Sequence, residues 1–146
     1  MTDNKTIDHV LRATWQAVAK LYNEEASKYG ATMAIAFTLL NIDKEGTPST
    51  SLGPKMGMEA TSLSRTLKNM EEKGLILRKK NPNDGRGVLI FLTEYGKEMR
   101  NVSKEKVIDF NSTIIDSIGE DKVNTFYEVS NHIVDLIQQR KIFTKS

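Results

Sequence analysis

Apolar residues recur along this chain at two periods, 3.6 and 2, and the switches between them divide it into elements. From residue 5 to 29, Ile7, Leu11, Trp15, Val18, Leu21 and Tyr22 keep helical spacing and Gly30 follows as a stop, which predicts a long amphipathic helix. "ATMAIAFTLLNIDKEG" is apolar almost all round through Met33, Ile35, Phe37, Leu39 and Leu40, which predicts a central helix ending before Gly46. In "SLSRTLKNMEEKGLI", residues 62 to 76, Leu63, Leu67 and Met70 again mark one helical face. The period then drops to two: "LILRKK" and "VLIFLT" read as strands, with Val88, Ile90 and Leu92 turned to one side. Helical spacing returns over 94 to 117, through Tyr95, Met99, Val102, Phe110 and Ile114, and over 120 to 141, through Val123, Phe126, Ile133, Leu136 and Ile137.

The polar positions sharpen this picture around residues 47 to 93. "TPSTSLGPKMGM" opens with cap chemistry at Ser49, Thr50 or Ser51, and Pro54 is tolerated only near a first turn, so a brief helix is expected, broken by Gly57. Glu59 opens the next helix, where a carboxylate meets the positive end of the macrodipole, and Gly74 closes it. Opposite its apolar stripe, Thr61, Arg65 and Lys68 cluster, with Ser62 and Asn69 beside them, a mixture of short hydrogen-bonding groups and cations that suits phosphates and base edges. A solvated helix face has the same look. Two short helices joined by a glycine turn make a helix-turn-helix, and "NPNDGRG" folds the two strands into a hairpin wing. Its tip carries Asp84 and Arg86, a carboxylate spaced to hold a guanidinium extended toward a narrow minor groove.

Charge supports the same segment. The net charge of the 146 residues is +2, yet Lys55 to Arg86 holds eight Lys or Arg against four Asp or Glu, leaving the remainder at −2. Cations gathered around one helix are the footprint of a nucleic-acid contact. With 38% hydrophobic and 27% charged residues the chain is expected to be an ordinary globular domain, rich in helix formers. No stretch approaches the roughly 18 apolar residues of a membrane span, and "MTDNKTIDHV" lacks the basic start and apolar run of a signal peptide, so a cytoplasmic protein without membrane partners is expected. Zero cysteines exclude disulfides, thiolate metal sites and thiol redox switches.

"GMEATSLSRTLKNMEEKGLILRKKNPNDGRGVLIFLTEYG", residues 57 to 96, resembles the winged helix-turn-helix core of the MarR family of bacterial transcription regulators. The most specific pieces are Leu63, Arg65 and Leu67, "EEKGLI" at 71 to 76 and "PNDGRGVLIFLT" at 82 to 93. The resemblance implies a mainly α fold with a small β-hairpin wing. It divides the chain into an N-terminal dimerisation helix at 1–30, a DNA-binding core at 31–93 with its wing at about 76–93, and C-terminal dimerisation helices at 94–146. It places Thr61, Ser62, Ser64, Arg65, Lys68 and Asn69 at the major groove and Arg86, supported by Asp84, at the wing. Arg78, Lys79 and Lys80 add cations at the wing's base. Gly85 stands where many relatives carry another basic residue, and Gly53 and Pro54 fall where relatives have helix formers.

The terminal helices carry more apolar surface than one small winged domain covers, so a homodimer is expected, with Ile7, Leu11, Ile133, Leu136, Ile137 and Ile142 at its interface. The family often binds small aromatic or anionic effectors between the dimerisation helices and the core; Trp15, Tyr22, Met33 and Phe37 lie on helices placed to line such a crevice, although aromatics and methionines at helical spacing are more often plain core or dimer interface. The expected function is a dimeric regulator, a repressor, reading a pseudo-palindromic operator in double-stranded DNA. Enzyme chemistry has no support: His9 and His132 have no ligand-spaced partner, and Glu71/Glu72 and Glu120/Asp121 are helix-end charges. No cofactor or metal is expected. The competing reading is a winged helix used for protein contact, against which stand the aligned cations Arg65, Lys68, Arg78 to Lys80 and Arg86.

Overall fold

The computed structural model describes residues 5–83 and 87–145. Asp84, Gly85 and Arg86, the expected wing tip, lie outside the described residues. Thr6 is extended and its hydroxyl accepts the His9 N–H, which starts α1 (Ile7–Ser27). The Thr32 hydroxyl accepts the Ile35 N–H at 3.2 Å and starts α2 (Met33–Leu40) in the same way. This central helix ends well short of Gly46. Its last turn is closed by the Asn41 side chain donating to the Phe37 carbonyl at 2.8 Å, and the Asp43 N–H then donates to the Thr47 hydroxyl, bending the chain away.

Thr47 and Pro48 form β1, too short to show any period in the sequence. In α3 (Ser49–Met56) the cap position belongs to Pro48, not to Ser49, Thr50 or Ser51; the Ser51 hydroxyl instead donates to the Pro48 carbonyl at 2.8 Å. Pro54 sits in the second turn rather than the first. The bond it forfeits is that of the Thr50 carbonyl, on an exposed residue, and the helix ends two residues later at Met56, capped by left-handed Gly57. Gly53 has a packing reason: its carbonyl accepts from the Gly57 and Met58 N–H groups, and a Cβ there would press on the Met58 carbonyl at 3.2 Å. Extended Glu59 then leads into α4 (Ala60–Glu72), which ends at Lys73 and Gly74, the latter at φ +74°.

Strands β2 (Ile76–Lys80) and β3 (Val88–Leu92) pair antiparallel with Arg78 opposite Ile90, and β1 adds to the far side of β3, giving the order β1-β3-β2. The expected hairpin is thus part of a three-stranded sheet. As the alternation predicts, Ile90 is fully buried and Val88 and Leu92 pack against the core. Two long helices follow, α5 (Glu94–Ile118) and α6 (Glu120–Gln138), with Gly119 at φ +102° between them. Helix α6 stops before 141 because Arg140 turns left-handed and the Lys141 N–H reaches back to the Leu136 carbonyl at 2.9 Å, so Ile142 follows the helix rather than riding on it.

The chain falls into two compact units, Met1–Lys104 and Glu105–Ser146, with the break inside α5. The core of the first joins Ile35, Leu39 and Ile42 to Leu52, to Leu63, Leu67 and Met70 of α4, and to Leu75, Ile76 and Ile90 of the sheet; Met99 packs on it from α5. Each such side chain contributes about 1.5–3 kcal/mol by leaving water. Helix α1, by contrast, buries none of its residues, and on α6 only Val123 is buried.

Candidate nucleic-acid interface

Helix α4 is fixed from one side. Leu63, Leu67 and Met70 are sunk in the core at 6%, 3% and 0% exposure, which sets the helix's rotation. With that face pinned, Thr61, Ser62, Ser64, Arg65, Lys68 and Asn69 are all exposed. Thr61, Arg65 and Lys68 form the centre of the outward row, Ser62 and Asn69 one edge and Ser64 the other. Neither Arg65 nor Lys68 makes a salt bridge among the described residues. Two cations thus stand in solvent between hydroxyl and amide groups, which is chemistry for accepting a polyanion.

The wing's cations are differently placed. Strand alternation puts Arg78 and Lys80 on one face of β2 and Lys79 on the other. Arg78 Nε lies 3.4 Å from Glu71 Oε1 at the end of α4, and Lys79 Nζ sits 5.1 Å above the Phe91 ring. Lys80, at the strand's exposed end, is in no salt bridge among the described residues. Just beyond the strand, the Asn81 N–H donates to the Gly87 carbonyl, and the Asn83 N–H to the Asn81 side chain, both at 3.0 Å.

A junction that the sequence did not reveal ties α4 to α5. The Thr93 hydroxyl donates to the Gly74 carbonyl at 2.6 Å and accepts the Gly96 N–H at 2.9 Å, while the Thr93 N–H donates to the Leu75 carbonyl at 3.1 Å. Gly96 is buried there, and a Cβ on it would overlap the Leu75 carbonyl oxygen. A threonine before a predicted helix and a glycine within its first turn are the only traces in the sequence.

Of the residues expected around a small effector, Tyr22 and Phe37 meet edge to face with ring centroids 5.2 Å apart. The neighbouring Asn23 side chain accepts the Met33 N–H at 2.9 Å, so Tyr22, Met33 and Phe37 all belong to the α1–α2 contact. Burial pushes the Tyr22 phenol pKa up from its ordinary value. Trp15 stands apart, 56% exposed on α1. Ile7, Leu11, Ile137 and Ile142 are exposed, and Ile133 and Leu136 are half-buried. Among the described residues no cluster of His, Cys, Asp and Glu is arranged to hold a metal, and no helix is long and apolar enough to cross a membrane.

Residues 32–88 match the model of the MarR family, from α2 through the first residue of β3. The organic hydroperoxide resistance transcriptional regulator of Bacillus subtilis is 33% identical over 107 residues, 73% of this chain and 70% of that protein. This chain belongs to the MarR family. A second relative, the HTH-type transcriptional regulator SarZ of Staphylococcus epidermidis, is 31% identical over 101 residues, 66% of this chain and 68% of that one. Among solved structures, a mutant MarR from E. coli complexed with operator DNA superposes with a TM-score of 0.78 at 25% identity, covering 87% of this chain and 92% of that one. The S. aureus MepR–DNA complex reaches 0.82 at 16% identity, covering 89% and 97%, which establishes the shared fold. The protein is accordingly a DNA-binding winged-helix transcription regulator and not an enzyme.

Proposed function

We propose that this MarR-family regulator is a cytoplasmic homodimeric repressor that sets two α4 helices into successive major grooves of a pseudo-palindromic operator and its wings into the flanking minor grooves. The observation that carries the reading is the outward row of α4, with Arg65 and Lys68 in no salt bridge among the described residues, beside Ser62, Ser64 and Asn69 on a helix whose opposite face is buried. Lys80 and Arg86 supply phosphate and minor-groove contacts, whereas Arg78 and Lys79, engaged within the chain, brace the wing and add to its field. Operator DNA bound to the MarR mutant of similar fold supports an operator-binding role for this chain.

The dimer is supported by the bare helices. Ile7 and Trp15 on α1 are 69% and 56% exposed, and Phe126 and Ile137 on α6 are each 58% exposed, a load of apolar surface that a second copy would cover. A small aromatic or anionic effector acts against DNA near the α1–α2 contact of Tyr22, Met33 and Phe37; the solved PcaV regulator with its natural ligand shares the fold. Organic hydroperoxides, which the Bacillus subtilis relative's name concerns, would meet no thiol here, since the chain has no cysteine.

Selection of bound sequences from a random DNA pool, followed by affinity measurements across a salt series, tests the proposal. The expected result is an inverted repeat with half-site centres roughly 10 base pairs apart, bound with a steep negative salt slope. Recovery of no consensus, or a flat salt response, would point to a protein-contact module instead.

A further inference from the structure

Thr93, at the start of α5, is hydrogen-bonded back to the residues that follow the end of α4. Thr93 is the last residue before α5, and its hydroxyl occupies the cap position, accepting the Gly96 N–H at 2.9 Å. The same hydroxyl donates to the Gly74 carbonyl at 2.6 Å, and Gly74 follows directly on Lys73, the residue that caps α4. Gly74 and Leu75 are themselves held to that helix, the Gly74 N–H donating to Glu71 and the Leu75 N–H to the Met70 carbonyl at 2.9 Å. The missing Cβ of Gly96 lets α5 lie against the Leu75 backbone with no side chain between. One hydroxyl therefore closes the first turn of a 25-residue helix and grips the end of the helix that carries Arg65 and Lys68.

We infer that Thr93 is a positioning residue for operator recognition: it locks the orientation of α4 to that of α5, so that the distance and twist between the two α4 helices of a dimer are set through α5. An isolated cap would need only the acceptor half of the hydroxyl; the donor half, spent on Gly74, is what joins the helices. This rests on the dimeric reading proposed above. Loss of the lock lets α4 rock on its buried face, which weakens discrimination of half-site spacing while leaving each helix its base contacts.

The test compares affinities of the full chain for the selected operator and for the same operator with one base pair inserted between half-sites, an insertion that turns one half-site by about 35°. The ratio of the two affinities does not depend on the fraction of protein folded, so a loss of stability alone leaves it unmoved. The wild type should favour the native spacing by about 10-fold, the scale of a lost base contact. Thr93→Val, equal in shape and without the hydroxyl, should shrink that preference at least about 3-fold, and Thr93→Ser, which keeps both hydrogen bonds, should restore it. If Thr93→Val does not accumulate as folded protein, Gly96→Ala, which pushes α5 off Leu75 with Thr93 still in place, reads the same ratio. An unchanged ratio in the folded variant overturns the lock although the operator reading stands. A wild type indifferent to spacing overturns the two-helix reading, and the role of Thr93 with it.

Discussion

Glu71 and Arg78 form an ion pair between the last turn of α4 and the middle of β2, with Oε1 and Nε 3.4 Å apart. The partners are 47% and 35% exposed at their side chains, so the bond adds at most about 1 kcal/mol to stability. Its consequence is in binding. A guanidinium already facing a carboxylate releases fewer counterions on meeting DNA than a free ammonium does. Lys80→Ala should therefore lower the slope of log affinity against log salt by roughly 1, whereas Arg78→Ala should lower it by clearly less. Glu71→Gln should steepen the slope by freeing Arg78. Titrations at four or more salt concentrations separate the three, and equal slopes for Lys80→Ala and Arg78→Ala would show that the pair opens on DNA.

Arg65 and Arg86 should fail differently when truncated. Arg65 is on the exposed row of α4, among groups suited to base edges, so Arg65→Ala should lose about 1–3 kcal/mol on the preferred operator and little on random DNA. Arg86, in the wing sequence, should weaken both together, because backbone and minor-groove contacts carry little base information. Competition between operator and random duplex reads the ratio directly. A ratio preserved in Arg65→Ala would remove it from base readout.

The parts of this interface that the sequence made legible share one property: they repeat. Leu63, Leu67 and Met70 recur at the helical period, and Val88, Ile90 and Leu92 at the strand period, so both the buried face of α4 and the inner face of the wing follow from spacing. What escaped has no period. Two-residue β1 shows nothing until Thr47 pairs with Ile90. Pro54 looked like a first-turn residue because an interior proline normally costs a helix several kcal/mol, yet α3 is only eight residues long and the one bond lost falls on exposed Thr50. The bonds of Thr93 reach 19 residues back to Gly74. Glu71 and Arg78 belong to separate elements, and only the fold of the intervening turn brings them together. Individual cations could thus be named from the sequence, but not which of them were already engaged.

The exposed faces of α1 and α6 give the dimer its own test. Leu11 and Ile137 are 45% and 58% exposed, so neither is needed by the folded single chain. Leu11→Glu and Ile137→Glu should leave helix content and the melting of the isolated fold nearly unchanged, since surface substitutions usually stay within about 0.5 kcal/mol. In a dimer the same charges would be buried without partners and should raise the dissociation constant by 10-fold or more, at about 1.4 kcal/mol per decade. Sedimentation velocity across a dilution series reads this. Wild-type behaviour in both variants would place the interface elsewhere.

Effector control is the reading most open to refutation, because Tyr22 and Phe37 already occupy each other's space. The rings of Tyr22 and Phe37 touch edge to face, and Asn23 pins the start of α2 to α1 through the Met33 N–H. An aromatic carboxylate entering here must therefore part the two helices, and α2 belongs to the same core as α4. Parting them costs free energy that the ligand recovers only in a dimer whose α4 helices have moved, so ligand and operator should oppose each other by one reciprocal factor, typically 5- to 150-fold. Phe37→Ala removes one side of the contact and should both ease ligand entry and weaken operator binding in the absence of ligand. The half-buried phenol of Tyr22 gives a second handle. Because its folded pKa is raised above 10, the stability contributed by neutral Tyr22 is complete below pH 10 and falls as pH rises beyond it; Tyr22→Phe should flatten that alkaline loss. Operator anisotropy titrated with salicylate-like and benzoate-like compounds, with Trp15 emission followed in parallel, decides the matter. If none of them shifts operator affinity in the wild type or in Phe37→Ala, the α1–α2 contact is packing alone and the regulator answers only to its own concentration.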